Sequence, residues 1–327
     1  MEPGGLVELQ RFFDDLYRPA RLRGKSAWTL ETYRPIVAIF TRWHLATRAR
    51  PPQVADLTAG ILNRYLADLE AGRMDRRGPR AAATINKHRR HLVAIAREAA
   101  AQNQLADPPR VARVPEPLRS PEAWTLDQVE RILAVAARWP GRVGPTPAAT
   151  WWSGLVLLVY STGLRISAAM ALRPADLDLA HHRILARAAP QRQRADQWLD
   201  LLPMTADHLA AIQAPGRLST LFGDWGYDRG TRSWPTLDRH YKKILRQAKL
   251  PATAGDLWHR LRRTFATQVA IHSNPGTAQQ LLGHSGPEVT ARYLAPRHLG
   301  APHAAELLAA PRLDPLLRIC ADDQAAG

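Results

Sequence analysis

Residues 107–121, DPPRVARVPEPLRSP, carry five prolines and three arginines. Neither a helix nor a central strand tolerates that density. Proline lacks the backbone donor and fixes φ, and it pushes the residue before it into extended geometry. The segment reads as a stiff, basic linker, and the 327-residue chain as two domains joined by it.

The two sides of the linker differ in pattern. Residues 6–105 show four helical stripes. The first, over 6–17, aligns Leu6, Leu9, Phe12, Phe13 and Leu16. The second, over 29–45, aligns Tyr33, Ile36, Val37, Phe40 and Leu45, with Pro35 in its early turns or at a kink. Thr58 caps a third over 61–69 and Gly72 stops it; the fourth, over 81–101, turns Ile85, Leu92, Ile95 and Ala99 inward. Beyond the linker, helices are expected over 126–137, 151–160, 165–172 and 237–250, with Thr162-Gly163 breaking the chain between the second and third. Residues 183–188 and 197–202 read as two strands around the turn PQRQRAD, with Asp176 and Asp178 as turn formers before them. A short apolar helix is expected over 304–308. The fold class is mainly α, with a small antiparallel β-sheet in the second domain.

Charge narrows the partner. The net charge is +16, and only five of 45 basic residues are lysines. A GC-rich genome explains arginine over lysine but not the excess of positive charge, which favours a polyanion. The basic residues are also placed. Lys87, Arg90 and Arg97 share one face of the fourth helix, and Arg76, Arg77 and Arg80 precede it. Residues 73–97 hold eight Arg/Lys against one acid, Asp75, whereas a merely solvated face mixes signs. Arg239, Lys242, Lys243 and Arg246 form the polar face of the helix over 237–250. Both faces are candidate DNA contacts.

The remaining census excludes several classes. Cys320 is the only cysteine, so neither a disulfide framework nor a cysteine zinc site is expected, and His181-His182 lacks a third metal ligand. The opening MEPGGLVELQ has no apolar core of a signal peptide, and no apolar stretch is long enough to span a bilayer. The expectation is a cytoplasmic protein without membrane attachment, metal or cofactor.

Five residues carry the chemistry. STGLRISAAMALR holds Arg165, HRLRRTFAT holds His259 and Arg262, and LLGHSGPEVTARYL holds His284 and, nine residues later, Tyr293. Pro287 fits the first turn of a short polar helix carrying the tyrosine, and Glu288 complements its positive end. Two guanidiniums can hold the non-bridging oxygens of a phosphodiester as planar donors. Two histidines can take or share a proton, and a phenol can serve as a covalent nucleophile. Singly, each residue has an ordinary structural role; the order and spacing make the set specific.

On these three segments the chain resembles the tyrosine recombinases, or phage integrase family, over residues 120–297 and more loosely over 6–105. The resemblance implies a two-domain architecture: a helical core-binding (SAM-like) domain at 1–105, a linker at 106–121, a catalytic domain at 122–300 and a tail at 301–327 able to dock on a neighbouring protomer. It implies that Arg165 and Arg262 bind the scissile phosphate and that His259 and His284 support proton transfer. It implies further that Tyr293 forms a 3′-phosphotyrosyl link with double-stranded DNA, needing neither ATP nor metal. Recombination by four cuts in two paired steps implies a homotetramer on two sites.

Two positions depart from the family pattern. Ala168 stands where an acid is common. The lysine of the family's β-hairpin is absent, and Arg192 falls at its place, with Arg187 and Arg194 as neighbours. These departures motivate an alternative, a catalytically silent DNA-binding homologue regulating a mobile element. A relaxing topoisomerase would use the same chemistry without site preference.

Overall fold

The computed structural model describes residues 7–24, 27–74, 78–117, 122–188, 195–212, 220–223, 234–253, 257–283, 286–291 and 293–294. It divides into two compact units, residues 1–118 and 119–327.

In the first unit, α1 (Leu9–Phe12) and α2 (Arg18–Arg21) flank a π-helical stretch, Phe13–Tyr17. Then come α3 (Ala27–Arg48), with Pro35 in its interior, α4 (Ala59–Glu70) and α5 (Ala82–Ala101). The apolar stripes converge: Leu9, Phe12, Phe13, Ile36, Val37, Phe40, Leu62, Ile85, Leu92 and Ile95 belong to one buried cluster. Thr58 caps α4 by accepting from the Ile61 N–H at 3.3 Å. Tyr65 and His88 bond inside the core at 2.7 Å. Burial pushes the His88 pKa down to about 4, so at neutral pH its ring is uncharged and can accept the phenolic proton. Part of the proline-rich segment is tied to α5. Val111 is buried, Arg89 donates to its carbonyl at 2.6 Å, and Asn86 exchanges two hydrogen bonds with the Val114 backbone.

The second unit is built around one helix. A reciprocal Thr125–Gln128 capping box opens α6 (Leu126–Ala136). A small hairpin, β1 (Arg142–Val143) with β2 (Thr146–Pro147), leads into α7 (Ala148–Thr162). Trp151, Trp152 and every residue from Leu155 to Thr162 are buried, as expected of a helix apolar all round. It packs against α6 and the later helices α9 (Pro203–Ile212) and α11 (Leu257–His272). Between α7 and α9 run α8 (Ile166–Met170) and a 3₁₀ turn, Pro174–Asp176. The antiparallel sheet follows, β3 (Leu177–Asp178), β4 (Arg183–Ala186) and β5 (Gln197–Asp200), in that spatial order. The remaining helices are α10 (Trp234–Gln247), α12 (Pro275–Leu282) and α13 (Pro287–Ala291).

The architecture is mainly helical with small antiparallel sheets, and two local expectations need correction. Asp178 lies in a strand rather than a turn, pairing with Arg183 across the sheet. Asp176 does form a turn before the strand, closing Pro174–Asp176 by accepting from the Arg173 N–H, and it is 1% exposed there. Tyr293 does not ride in the short helix but follows it, its N–H donating to the Thr290 carbonyl at 2.7 Å. The helix expected over 304–308 lies outside the described residues. Among the described residues no helix is long and apolar enough to cross a membrane.

Gly163 closes α7 in the left-handed region, at φ +62°. A β-carbon there would sit 2.9 Å from Leu282 and closer still to the Phe265 ring. Gly163→Ala should destabilise this unit by roughly 2–5 kcal/mol, from left-handed strain plus overpacking. Denaturant melts of the two proteins check this; an unchanged midpoint would mean the turn can relax.

Candidate active site

Helix α11 organises the site. His259 stands exposed in its first turn, and Arg262, one turn on, is 1% exposed. Residues three apart share a helix face, so both address the same side of α11. The buried guanidinium is fixed by two helix ends. Its Nη1 donates to the Gly163 carbonyl beyond α7, and its Nη2 to the Leu282 carbonyl at the end of α12, at 3.0 Å. Both helices close with a left-handed glycine, Gly163 and Gly283. The last carbonyls of a helix lack partners within it, and a cation suits the negative pole there.

Arg165 and Tyr293 join this arginine. Arg165 is the N-cap of α8, immediately after the Gly163 turn. The Arg262 guanidinium carbon lies 5.6 Å from the centre of the Tyr293 ring. Thr267, five residues along α11, donates to the Tyr293 carbonyl at 3.4 Å and so holds the tyrosine backbone. Burial first, and then the Arg165 charge, depress the Arg262 pKa to about 10, while Tyr293 acts to raise it. The sign is informative. A base whose pKa is lowered by folding is still protonated at neutral pH, so the fold bears that destabilisation throughout the range below about 10. Two adjacent guanidiniums in a desolvated place repel each other, and an anion between them relieves the repulsion. A phosphodiester supplies two anionic oxygens of suitable geometry.

The structure thus brings Arg165, Arg262 and Tyr293 together and places His259 on the same helix as Arg262. His284 follows the Gly283 cap of α12 in sequence and lies outside the described residues, as do Arg192, Arg76 and Arg77. Ala168 is buried in α8, facing a cavity of about 10 Å³ that it shares with Asp176 and Arg187. Asp176 is therefore the carboxylate bordering the position where an acid was missed.

With this geometry in place, comparison with known proteins decides the class. The phage integrase family model matches residues 123–298. The chain belongs to the phage integrase family. Tyrosine recombinase XerC of Rhodospirillum centenum is 31% identical over 291 residues, spanning 83% of this chain and 78% of its own length. Tyrosine recombinase XerD of Mycobacterium tuberculosis is 28% identical over 301 residues, 88% of this chain and 92% of the relative. In fold, a lambda integrase dimer bound to a COC′ core site aligns with a TM-score of 0.64 at 18% identity, covering 88% of this chain and 95% of that one. The Tn1549 transposon integrase in complex with a circular intermediate DNA aligns at 0.65 and 15%, covering 89% and 96%. With the family comes the activity, site-specific recombination of DNA by a tyrosine recombinase.

Two surfaces of the recombinase carry the remaining candidates. On α5, Arg90 and Arg97 are exposed and Lys87 is half-buried, as is Arg80 just before the helix. Nearby Arg73, by contrast, is paired with Asp68 at 2.7 Å. On α10, Leu237, Tyr241, Ile244 and Leu245 are buried, with Ala248 just beyond its end, while Arg239, Lys243 and Arg246 are exposed and Lys242 is half-buried. Sequence reasoning missed Thr267 and the ion pair of the buried Asp176 with Arg187. Neither announces itself locally, because each acts on a partner distant in the chain.

Proposed function

We propose that this recombinase cuts and rejoins duplex DNA through a 3′-phosphotyrosyl intermediate formed on Tyr293. The observation that carries the reading is the grouping of Tyr293 with the buried Arg262 and with Arg165. Arg165 and Arg262 hold the non-bridging oxygens, where charge grows in the transition state, and their fixed positions avoid reorganisation during the step. His259 and His284 receive or share the tyrosyl proton. The tyrosyl oxygen bonds to phosphorus, the bond to the 5′-oxygen breaks, and that oxygen leaves as a free hydroxyl once protonated. Phosphodiester energy is retained in the new ester, so a partner strand's 5′-hydroxyl reverses the step without ATP. Four cuts in two paired steps call for four protomers on two sites. The protein works in the cytoplasm, where its DNA lies.

The α5 face, with Arg76, Arg77 and Arg80 leading into it, and the α10 face hold phosphates along the duplex. Lys87→Glu with Arg90→Glu should weaken binding and reduce the log–log salt slope by about 0.9 for each lost phosphate contact. Titrations at several salt concentrations check this, and an unchanged slope would return these residues to a solvated face.

Arg192, at the place of the family's lysine in sequence, serves the departing 5′-oxygen. A guanidinium holds its proton too tightly to be an efficient acid, yet it neutralises developing charge. Arg192→Ala should cleave an ordinary site poorly and a 5′-phosphorothiolate site nearly as well as wild type, because a thiolate leaves without a proton. Equal defects on both substrates would remove Arg192 from this role.

Ala168 and the missing hairpin lysine favour a second reading, a silent DNA-binding homologue. Incubation with a selected binding site nicked near the cleavage point separates the two. A recombinase accumulates a covalent adduct as the short fragment diffuses away; the silent homologue binds and forms none.

A further inference from the structure

Asp176 is a buried carboxylate that the reaction above does not use. Its side chain is 1% exposed, and a charge so placed is costly unless its oxygens are satisfied. Here they are. Oδ1 accepts from the Arg187 guanidinium at 2.6 and 2.8 Å, and Oδ2 from the Arg173 N–H at 3.0 Å. Arg187 sits one residue past the last rung of the β4–β5 ladder, Ala186 with Gln197. It also reaches Asp196 on the opposite leg at 3.2 Å, and that carboxylate accepts the Ala188 N–H at 2.9 Å. Side-chain charges therefore extend the hairpin's pairing beyond the backbone ladder. Two further ties fix this root. Asp176 and Arg187 line a small cavity with Leu164 and Ala168, on the segment whose α8 cap is Arg165. On the other leg, Gln197 donates to the Gln280 carbonyl of α12 at 3.3 Å.

We propose that Asp176 is a positioning residue for strand cleavage, setting the root of the β4–β5 hairpin against the Arg165 segment through its ion pair with Arg187. The inference rests on the reading that this hairpin serves the leaving 5′-oxygen. An apolar residue could fill the same space, but it would not specify where Arg187 lies. With the carboxylate removed, the arginine is released from its anchor, the hairpin root loosens, and leaving-group stabilisation suffers while the phosphate-binding arginines stay in place.

The test uses full-length protein and two versions of one selected site, with a bridging 5′-oxygen or a 5′-sulfur. Asp176→Asn should slow cleavage of the oxygen site by about tenfold or more, leave the sulfur site within about threefold of wild type, and leave DNA affinity unchanged. Arg187→Gln, on a half-exposed side chain, should reproduce that pattern, and it carries the test if Asp176→Asn fails to fold. The double variant should be no slower than the worse single one, because both remove the same link. Arg192→Ala run alongside separates the two failures. If sulfur rescues Arg192→Ala but not Asp176→Asn or Arg187→Gln, the positioning role is wrong and the leaving-group reading stands. If sulfur rescues none of them, the leaving-group reading falls and takes this inference with it. Unimpaired oxygen-site cleavage by both variants would also overturn the proposal.

Discussion

Tyr293→Phe should abolish strand cleavage while leaving DNA affinity within about twofold of wild type, because one oxygen is lost and the ring's packing is kept. The backbone anchors do not involve that oxygen. Thr267 holds the Tyr293 carbonyl, and the Tyr293 N–H bonds to Thr290. The Arg262 guanidinium lies 5.6 Å from the ring centre, a contact phenylalanine retains, so only its hydrogen bond with the phenolic oxygen is lost. Cleavage and equilibrium binding measured on one labelled site decide the matter. Residual cleavage near the wild-type rate would place the nucleophile on another residue.

The second large effect concerns Arg262. Arg262→Met should lower the cleavage rate by about 10²–10³, the usual consequence of removing one fixed donor from a site where charge develops. Its effect on unliganded stability is set by two opposing terms. Deleting the cation leaves the Gly163 and Leu282 carbonyls without that donor, a loss of about 1–3 kcal/mol for each. The same deletion removes a buried charge that desolvation and Arg165 both disfavour, which offsets part of that loss. The terms oppose, so the variant should keep its fold and lose less stability than the two carbonyl terms together, about 2–6 kcal/mol. Arg262→Lys should not restore the rate, because an ammonium cannot span two carbonyls and still present a planar donor face. Rate loss matched by collapse of the fold would make Arg262 a structural residue first.

Much of this was legible in sequence because local chemistry determines it. The stripes of α3, α4 and α5 follow from apolar residues at helical spacing, and the end of α7 from a glycine that adopts φ +62°. What escaped has physical reasons. In α9, Thr205 and His208 occupy buried positions, which blurs the apolar face. In α12 only eight residues, opening with Pro275 and Gly276, carry the pattern, yet Asn274 caps the helix and Leu282 is buried. The β1–β2 hairpin is two residues per strand, too short for an alternating pattern. The set Arg165, Arg262 and Tyr293 was readable because its chemistry is specific. The cradle that holds Arg262 was not, since it joins carbonyls from the ends of two helices far apart in sequence. Asp176 was readable as a turn residue, but its ion pair was not, for the same reason: its partner Arg187 is eleven positions away.

The most direct test of covalent catalysis at Tyr293 is to trap wild-type protein on a nicked selected site, in chelator and without ATP, then digest the adduct and map it by mass spectrometry. The predicted result is a nucleotide attached through its 3′-phosphate to the peptide containing Tyr293, with a free 5′-hydroxyl on the released strand. An adduct on a different residue, or a 5′-phosphate link, would contradict it.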